Sequence, residues 1–275
     1  MVEDLSKKRL AILGLGKMGS ILLKALLKQK LFLPKNAVAT VRHAERAKRL
    51  SDELGVDVGT DNGAAARNAD IVLICVKPQT VPEVCEDIRA EVAPSQLVVS
   101  VSASVPTRSI EKFLSADIPV VRAMPNTPCS VGEGMTALSG GRFAEPHHLE
   151  LSERLFNTVG RTARIDEKHL DAVTGLSASG PAFVYVILES LAEAGVKLGL
   201  PREVATLLAA QTMLGSARQV LETGDHPALL KDAVTTPAGC TIDGLMELEE
   251  GKLRVTLIKA VVKAADRAKD LYQED

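Results

Sequence analysis

The chain has 275 residues, 46% hydrophobic and 25% charged, an ordinary globular balance that excludes collagen-like, mucin-like and largely disordered chains and points to about two domains. Thirty-three basic against 35 acidic side chains leave a formal charge of -2, too little for the positive field that nucleic acids or anionic membranes attract, so neither partner is expected. Two Tyr, five Phe and no Trp leave few platforms for stacking sugars or unpaired bases.

Lys7-Lys8-Arg9 followed by Leu10 to Leu15 imitates the start of a leader, but Lys17 breaks the apolar stretch and no small-residue cleavage site follows. No run elsewhere reads as long enough to span a membrane. Cys75, Cys85, Cys129 and Cys240 are scattered, with no C-x-x-C and no paired histidine ligands, so a reduced, cytoplasmic chain without a metal centre is expected.

The first half alternates short β-branched or Leu-rich runs with helical patterns, the rhythm of a parallel sheet covered by helices. Strands are expected near Arg9 to Gly14, Ala37 to Val41, Gly55 to Val58, Ala69 to Val76, Leu97 to Val101, Pro119 to Ala123 and Arg161 to Ile165. The run from Asp70 to Val76 is apolar without alternation, which suits a central strand buried on both faces. Near Ile165-Asp166 the pattern turns to long helices. This gives an α/β domain over 1–165 and an all-α domain over 166–275, with helix breaks expected at Gly175 to Gly180, Gly199 to Pro201, Gly224 to Pro227 and Thr235 to Gly239. Between Ala182 and Leu198 only Glu189, Glu193 and Lys197 form a polar stripe. So apolar a helix needs cover on several sides, which predicts a two-fold homodimer rather than a monomeric core.

Gly14-Leu15-Gly16-Lys17-Met18-Gly19 fits G-x-G-x-x-G directly after a strand pattern and at the start of a helix expected over Lys17 to Lys28. In that context the glycines permit the tight turn, the approach of a pyrophosphate and close helix packing, with the helix N-terminus facing the phosphates. A Rossmann-like dinucleotide site follows. At the end of the second strand stands Arg42, with His43 and Arg46 nearby, and no carboxylate. That favours the 2′-phosphate of NADPH over the bare ribose of NADH, although Arg46 alone reads as a solvated helix arginine. Val76-Lys77-Pro78 and Ser102-Ala103-Ser104 end the fourth and fifth strands, where open α/β sheets bind ligands.

Three further segments are dense in small residues: Met124 to Pro128, Ser177 to Ala182 and Thr235 to Thr241. The last leads into a helix expected near Ile242. Its N–H groups with the Thr236 and Thr241 hydroxyls suit a small carboxylate, unless Thr241 merely caps the helix. None of the three contains His, Asp, Glu or Lys. A hydroxy acid needs a base or acid to move its proton, whereas a protonated imine already carries it. Imine reduction is therefore favoured over carbonyl chemistry. His147, His148, His169 and His226 fall at helix ends or turns and are given no catalytic role.

On the glycine motif, Val76-Lys77-Pro78, Met124-Pro125-Asn126-Thr127-Pro128 with Val131-Gly132, Ser179-Gly180-Pro181-Ala182, Gln211-Thr212 and the stretch Thr236 to Gly244, the chain resembles the pyrroline-5-carboxylate reductase family over essentially its whole length. The resemblance implies a Rossmann-like N-terminal domain with a mostly parallel sheet, and a helical C-terminal domain that forms a dimer, often within a larger ring of dimers. It implies reduction of 1-pyrroline-5-carboxylate to L-proline, hydride passing from nicotinamide C4 to ring C5. Carried over by position, Asn62, Lys77, Pro78 and Ala103 look like cofactor contacts, joined by Val76 and Asn126. Thr236, Gly239, Cys240 and Thr241 look like the substrate-carboxylate loop, with the Thr241 hydroxyl as the catalytic group at the ring nitrogen. The chain departs from the family where Ser104, Ala178 and Ala238 replace glycines.

Two other readings stand beside this one. A β-hydroxyacid dehydrogenase, or a broader imine reductase, would share the two-domain plan, but the former carries a catalytic Lys with Asn four residues on, and here Lys168 is followed by Ala172. A non-catalytic dinucleotide sensor would bind NADPH without turnover.

Overall fold

The computed structural model describes residues 4–114 and 117–271. These fall into two compact units, Met1–Ala178 with Lys263–Asp275, and Ser179–Val262.

The first unit is built on one sheet of eight strands: β1 (Leu10–Leu13), β2 (Ala37–Thr40), β3 (Asp57–Gly59), β4 (Ile71–Ile74), β5 (Leu97–Ser100), β6 (Val120–Met124), β7 (Gly134–Gly140) and β8 (Gly160–Arg164). Their order is β3-β2-β1-β4-β5-β6-β7-β8. All pairs are parallel except β6 with β7. The order reverses at β1, and the crevice between β1 and β4 is where such sheets take ligands.

Side-chain alternation along β1 shows why the sheet is covered twice. Leu10 and Ile12 join one buried cluster with Leu22, Leu23 and Leu26 of α1 (Lys17–Lys28). Ala11 and Leu13 join another with Val84, Cys85 and Ile88 of α4 (Val81–Ile88). Between these lie α2 (Ala44–Leu54) and α3 (Asn62–Arg67), and after them α5 (Thr107–Leu114) and α6 (Pro146–Phe156).

β7 is not among the strands expected from the sequence. Its segment is bounded by Gly134 and Gly140 and has no β-branched residue but Thr136, so it carries little strand propensity. Close backbone packing explains the glycines: Gly134 lies opposite Gly160 in the β7–β8 register, and a Cβ on either would collide with its surroundings. A second unforeseen feature is Arg122 on β6, only 4% exposed. It lies 3.6 Å from Glu167 and 3.5 Å from Asp171. Glu167 also accepts from the Thr107 N–H and hydroxyl at 2.8 and 2.7 Å, so one carboxylate caps α5 and faces the buried cation.

At Gly175 to Gly180, where a break is expected, the regular α-helix is interrupted but no loop intervenes. After α7 (Leu170–Val173), residues Thr174–Ala178 form a π-turn that leads into α8 (Gly180–Lys197), and helical structure runs from Glu167 to Lys197. The wider turn accommodates the Gly-Ser-rich stretch without ending the helix. The reading that no run reaches membrane-spanning length is corrected at the same place: this helix contains a window of mean hydropathy 1.3, long and apolar enough to cross a membrane by length and composition.

The second unit is helical: α8, then α9 (Arg202–Thr223), α10 (Pro227–Val234), α11 (Cys240–Glu250) and the start of α12 (Leu253–Lys269). Arg202 pairs with Glu193 to tie α9 to α8. Ala192, Ala205 and Ala209 are buried, but Tyr185, Val186, Leu207, Leu214 and Met246 are exposed.

Candidate functional site

At the carboxyl ends of β1, β2 and β4 opens a cleft of about 530 Å³, lined among others by Gly14, Leu15, Gly16, Arg42, His43, Asn62, Val76 and Lys77. With Arg46, which lines the same cleft, nine residues singled out in the sequence are thus brought together.

The three glycines of the turn have different reasons to be glycine. Gly14 has φ +96°, and a Cβ there would sit 2.6 Å from Val76. On Gly19 a Cβ would collide with the Gly14 carbonyl. Gly16 is unlike both: a Cβ would meet nothing nearer than the Cys75 carbonyl at 4.0 Å, and its φ is an ordinary −76°. Protein packing does not require this glycine. Room for a ligand against the backbone does.

The hydrogen bonds of the loop show which amides face that ligand. Gly14 N donates to the Thr40 carbonyl and hydroxyl, each at 3.2 Å, Leu15 N to the Thr40 carbonyl at 2.9 Å, and Gly16 N to the Gly14 carbonyl at 2.9 Å. These three are engaged within the chain. Lys17 and Met18, the first helical residues after the Gly16 cap, carry N–H groups that α1 itself leaves without acceptors, and they sit at its positive end. A diphosphate fits there.

Around the cleft, Thr40 donates its hydroxyl to Asn62 Oδ1 at 2.6 Å, and Asn62 Nδ2 donates to Asp87 at 2.9 Å. Asn62 is fixed at the start of α3, whose cap is the Asp61 carboxylate accepting from Ala64 N at 2.9 Å. Arg42 and His43 are exposed on the turn after β2. Arg46 is exposed, as a solvated helix arginine would be, and its Nη2 also donates to the Leu15 carbonyl at 2.6 Å. Cys75, half-buried against the glycine turn, has its thiol pushed up to about 12 by burial.

The remaining candidates lie elsewhere. Pro78 opens a short 3-10 turn before α4. Ala103 packs beside Met124, Ala137 and Leu170. Asn126 is occupied structurally: its Oδ1 accepts from Met135 N at 2.9 Å, and its Nδ2 donates to the Ser177 carbonyl at 3.2 Å.

In the second unit, Thr236, Gly239, Cys240 and Thr241 form the turn into α11. Gly239, rather than Thr241, is the N-cap, with no side-chain cap bond. Thr241 therefore stands inside the first turn. Gly239 N donates to the Thr236 carbonyl at 3.0 Å, and a Cβ on Gly239 would strike the Thr236 hydroxyl. Ala238 adopts φ +55° and Ser104 φ +67°. Two of the three positions where family glycines are replaced thus keep a backbone that favours glycine.

A glycine turn that spares space for a diphosphate, beside a cationic turn on a doubly covered, mostly parallel sheet, defines a Rossmann-like dinucleotide-binding protein. Residues 167–271 match the family model described as pyrroline-5-carboxylate reductase dimerisation, and residues 9–104 match NADP oxidoreductase coenzyme F420-dependent. A pyrroline-5-carboxylate reductase of Methanosarcina acetivorans is 40% identical over 97% of this chain and 99% of its own length. One of Arabidopsis thaliana is 39% identical over 96% of both. Among solved structures, the reductase of Coxiella burnetii has a TM-score of 0.89 at 35% identity, covering 97% of this chain and 99% of that one. The Plasmodium falciparum pyrroline carboxylate reductase with NADP bound has a TM-score of 0.87 at 30% identity and the same coverage. The chain belongs to the pyrroline-5-carboxylate reductase family.

Proposed function

We propose that the protein reduces the C=N bond of 1-pyrroline-5-carboxylate to L-proline, the last step of proline synthesis, using NADPH, with NADH as a weaker donor. The observation that carries the cofactor assignment is Gly16, whose missing side chain no protein atom requires. When bound, the dihydronicotinamide supplies a hydride.

The Lys17 and Met18 amides would hold the diphosphate, Asn62 would serve the adenosine ribose, and Arg42 with His43 would take the 2′-phosphate. Lys77, Val76 and Pro78 follow β4 toward the nicotinamide end, with Ala103 after β5. On the substrate side, the amides of Cys240 and Thr241 at the start of α11 and the Thr236 hydroxyl suit a carboxylate. The Thr241 hydroxyl orients the ring nitrogen. No carboxylate, imidazole or amine occurs from Thr235 to Thr241, and a protonated imine needs none. Orientation and charge complementarity do the work.

The exposed apolar residues of α8, α9 and α11 fit burial by a second copy, so we place the protein as a homodimer, assembled further into a ring of dimers. Its four free cysteines fit the reducing cytoplasm. The test is substrate-dependent NADPH oxidation with proline as product. Thr241→Ala should lower turnover or raise the substrate KM, while leaving NADPH binding unchanged. NADPH binding without turnover of this substrate would support the sensor reading instead.

A further inference from the structure

Arg46 lies in the first turn of α2, yet its side chain serves a different element. Its Nη2 donates to the Leu15 carbonyl at 2.6 Å. The other end of the same peptide group, Gly16 N, donates to the Gly14 carbonyl at 2.9 Å. The Leu15–Gly16 peptide plane is therefore pinned at both ends, and it sets where Gly16 and the first amides of α1 stand. Left alone, that carbonyl would be a bare dipole beside the diphosphate site. A guanidinium both satisfies it and adds positive charge. Ser20 Oγ reaches the same oxygen only at 3.5 Å, too long to replace the arginine.

We infer that Arg46 is a positioning residue for the diphosphate loop, serving every nicotinamide dinucleotide alike, while Arg42, with His43 beside it, discriminates NADPH from NADH. Arg42 before α2 and Arg46 inside its first turn thus divide selectivity from affinity. The inference rests on the dinucleotide reading of this cleft but not on the identity of the imine substrate.

The test is direct titration of NADPH and of NADH, followed by nucleotide fluorescence, with wild-type protein, Arg42→Ala, Arg46→Ala and Arg46→Lys. Arg46→Ala should weaken both nucleotides by about tenfold, the loss of one charge-assisted hydrogen bond, and leave their affinity ratio as in wild type. Arg46→Lys, which can still donate to Leu15, should recover part of the loss for both. Arg42→Ala should weaken NADPH only. In turnover assays Arg46→Ala should raise KM for either cofactor while kcat at saturation stays near wild type. A loss confined to NADPH in Arg46→Ala would make Arg46 a phosphate ligand and overturn the inference, as would unchanged affinity for both nucleotides. Failure of wild-type protein to bind either nucleotide would instead overturn the dinucleotide reading.

Discussion

Ser104 donates its hydroxyl to the main-chain carbonyl of Ala268 at 2.5 Å, joining residues 164 positions apart. Ser104 stands after β5 at φ +67°, and Ala268 is in the last turn of α12. A side chain is thus retained where the backbone favours glycine, and it secures the end of the C-terminal helix to the sheet unit.

Ser104→Ala and Ser104→Gly separate the two effects. Alanine loses the bond and keeps the strained φ, so it should lose about 1–2 kcal/mol. Glycine loses the bond but relieves the backbone and should fall between alanine and wild type. Urea unfolding midpoints measure this. Equal stability of Ser104→Ala and wild type would show that the bond contributes nothing.

Ala238, at φ +55° beside Gly239, predicts the opposite sign. Ala238→Gly should raise stability by up to about 1 kcal/mol, since removing Cβ strain outweighs the added freedom of the unfolded chain. A lower unfolding midpoint would contradict this.

The glycines of the turn should fail differently. Gly16→Ala should fold with wild-type stability and lose dinucleotide affinity, because its Cβ has space in the protein but occupies the approach to the diphosphate. Gly19→Ala forces a shift against the Gly14 carbonyl and should lower stability by about 1–3 kcal/mol. Thermal melts paired with nucleotide titration distinguish them.

Burial pushes the Cys75 and Cys85 thiols up to about 12, so both stay protonated and slow to react near neutral pH. Cys129 is pushed in the same direction, while Cys240 is exposed. Near pH 8 a maleimide should label native protein at Cys240 first, and Cys240→Ser should remove the fast phase. Rapid labelling of Cys75 would mean that the glycine turn opens.

What the sequence makes legible depends on distance along the chain. Gly14 to Gly19, the helix over Lys17–Lys28 and the parallel strands are local patterns and were readable as such. Arg122 was not, because Glu167 and Asp171 reach it only through the fold. Arg46 and Arg42 look alike in sequence, and only the Leu15 carbonyl distinguishes them. At Gly175 to Gly180 turn-forming composition suggested a break, and a π-turn absorbed it. Composition reports what a segment tolerates, while its neighbours decide what it does.

The most direct measurement is to mix purified protein with NADPH and 1-pyrroline-5-carboxylate and quantify both nucleotide oxidation and proline. Stoichiometric proline formation, strongly reduced in Thr241→Ala and needing more NADPH in Arg42→Ala, is the expected result. NADPH that binds but is not oxidised, with no proline formed, would contradict the account.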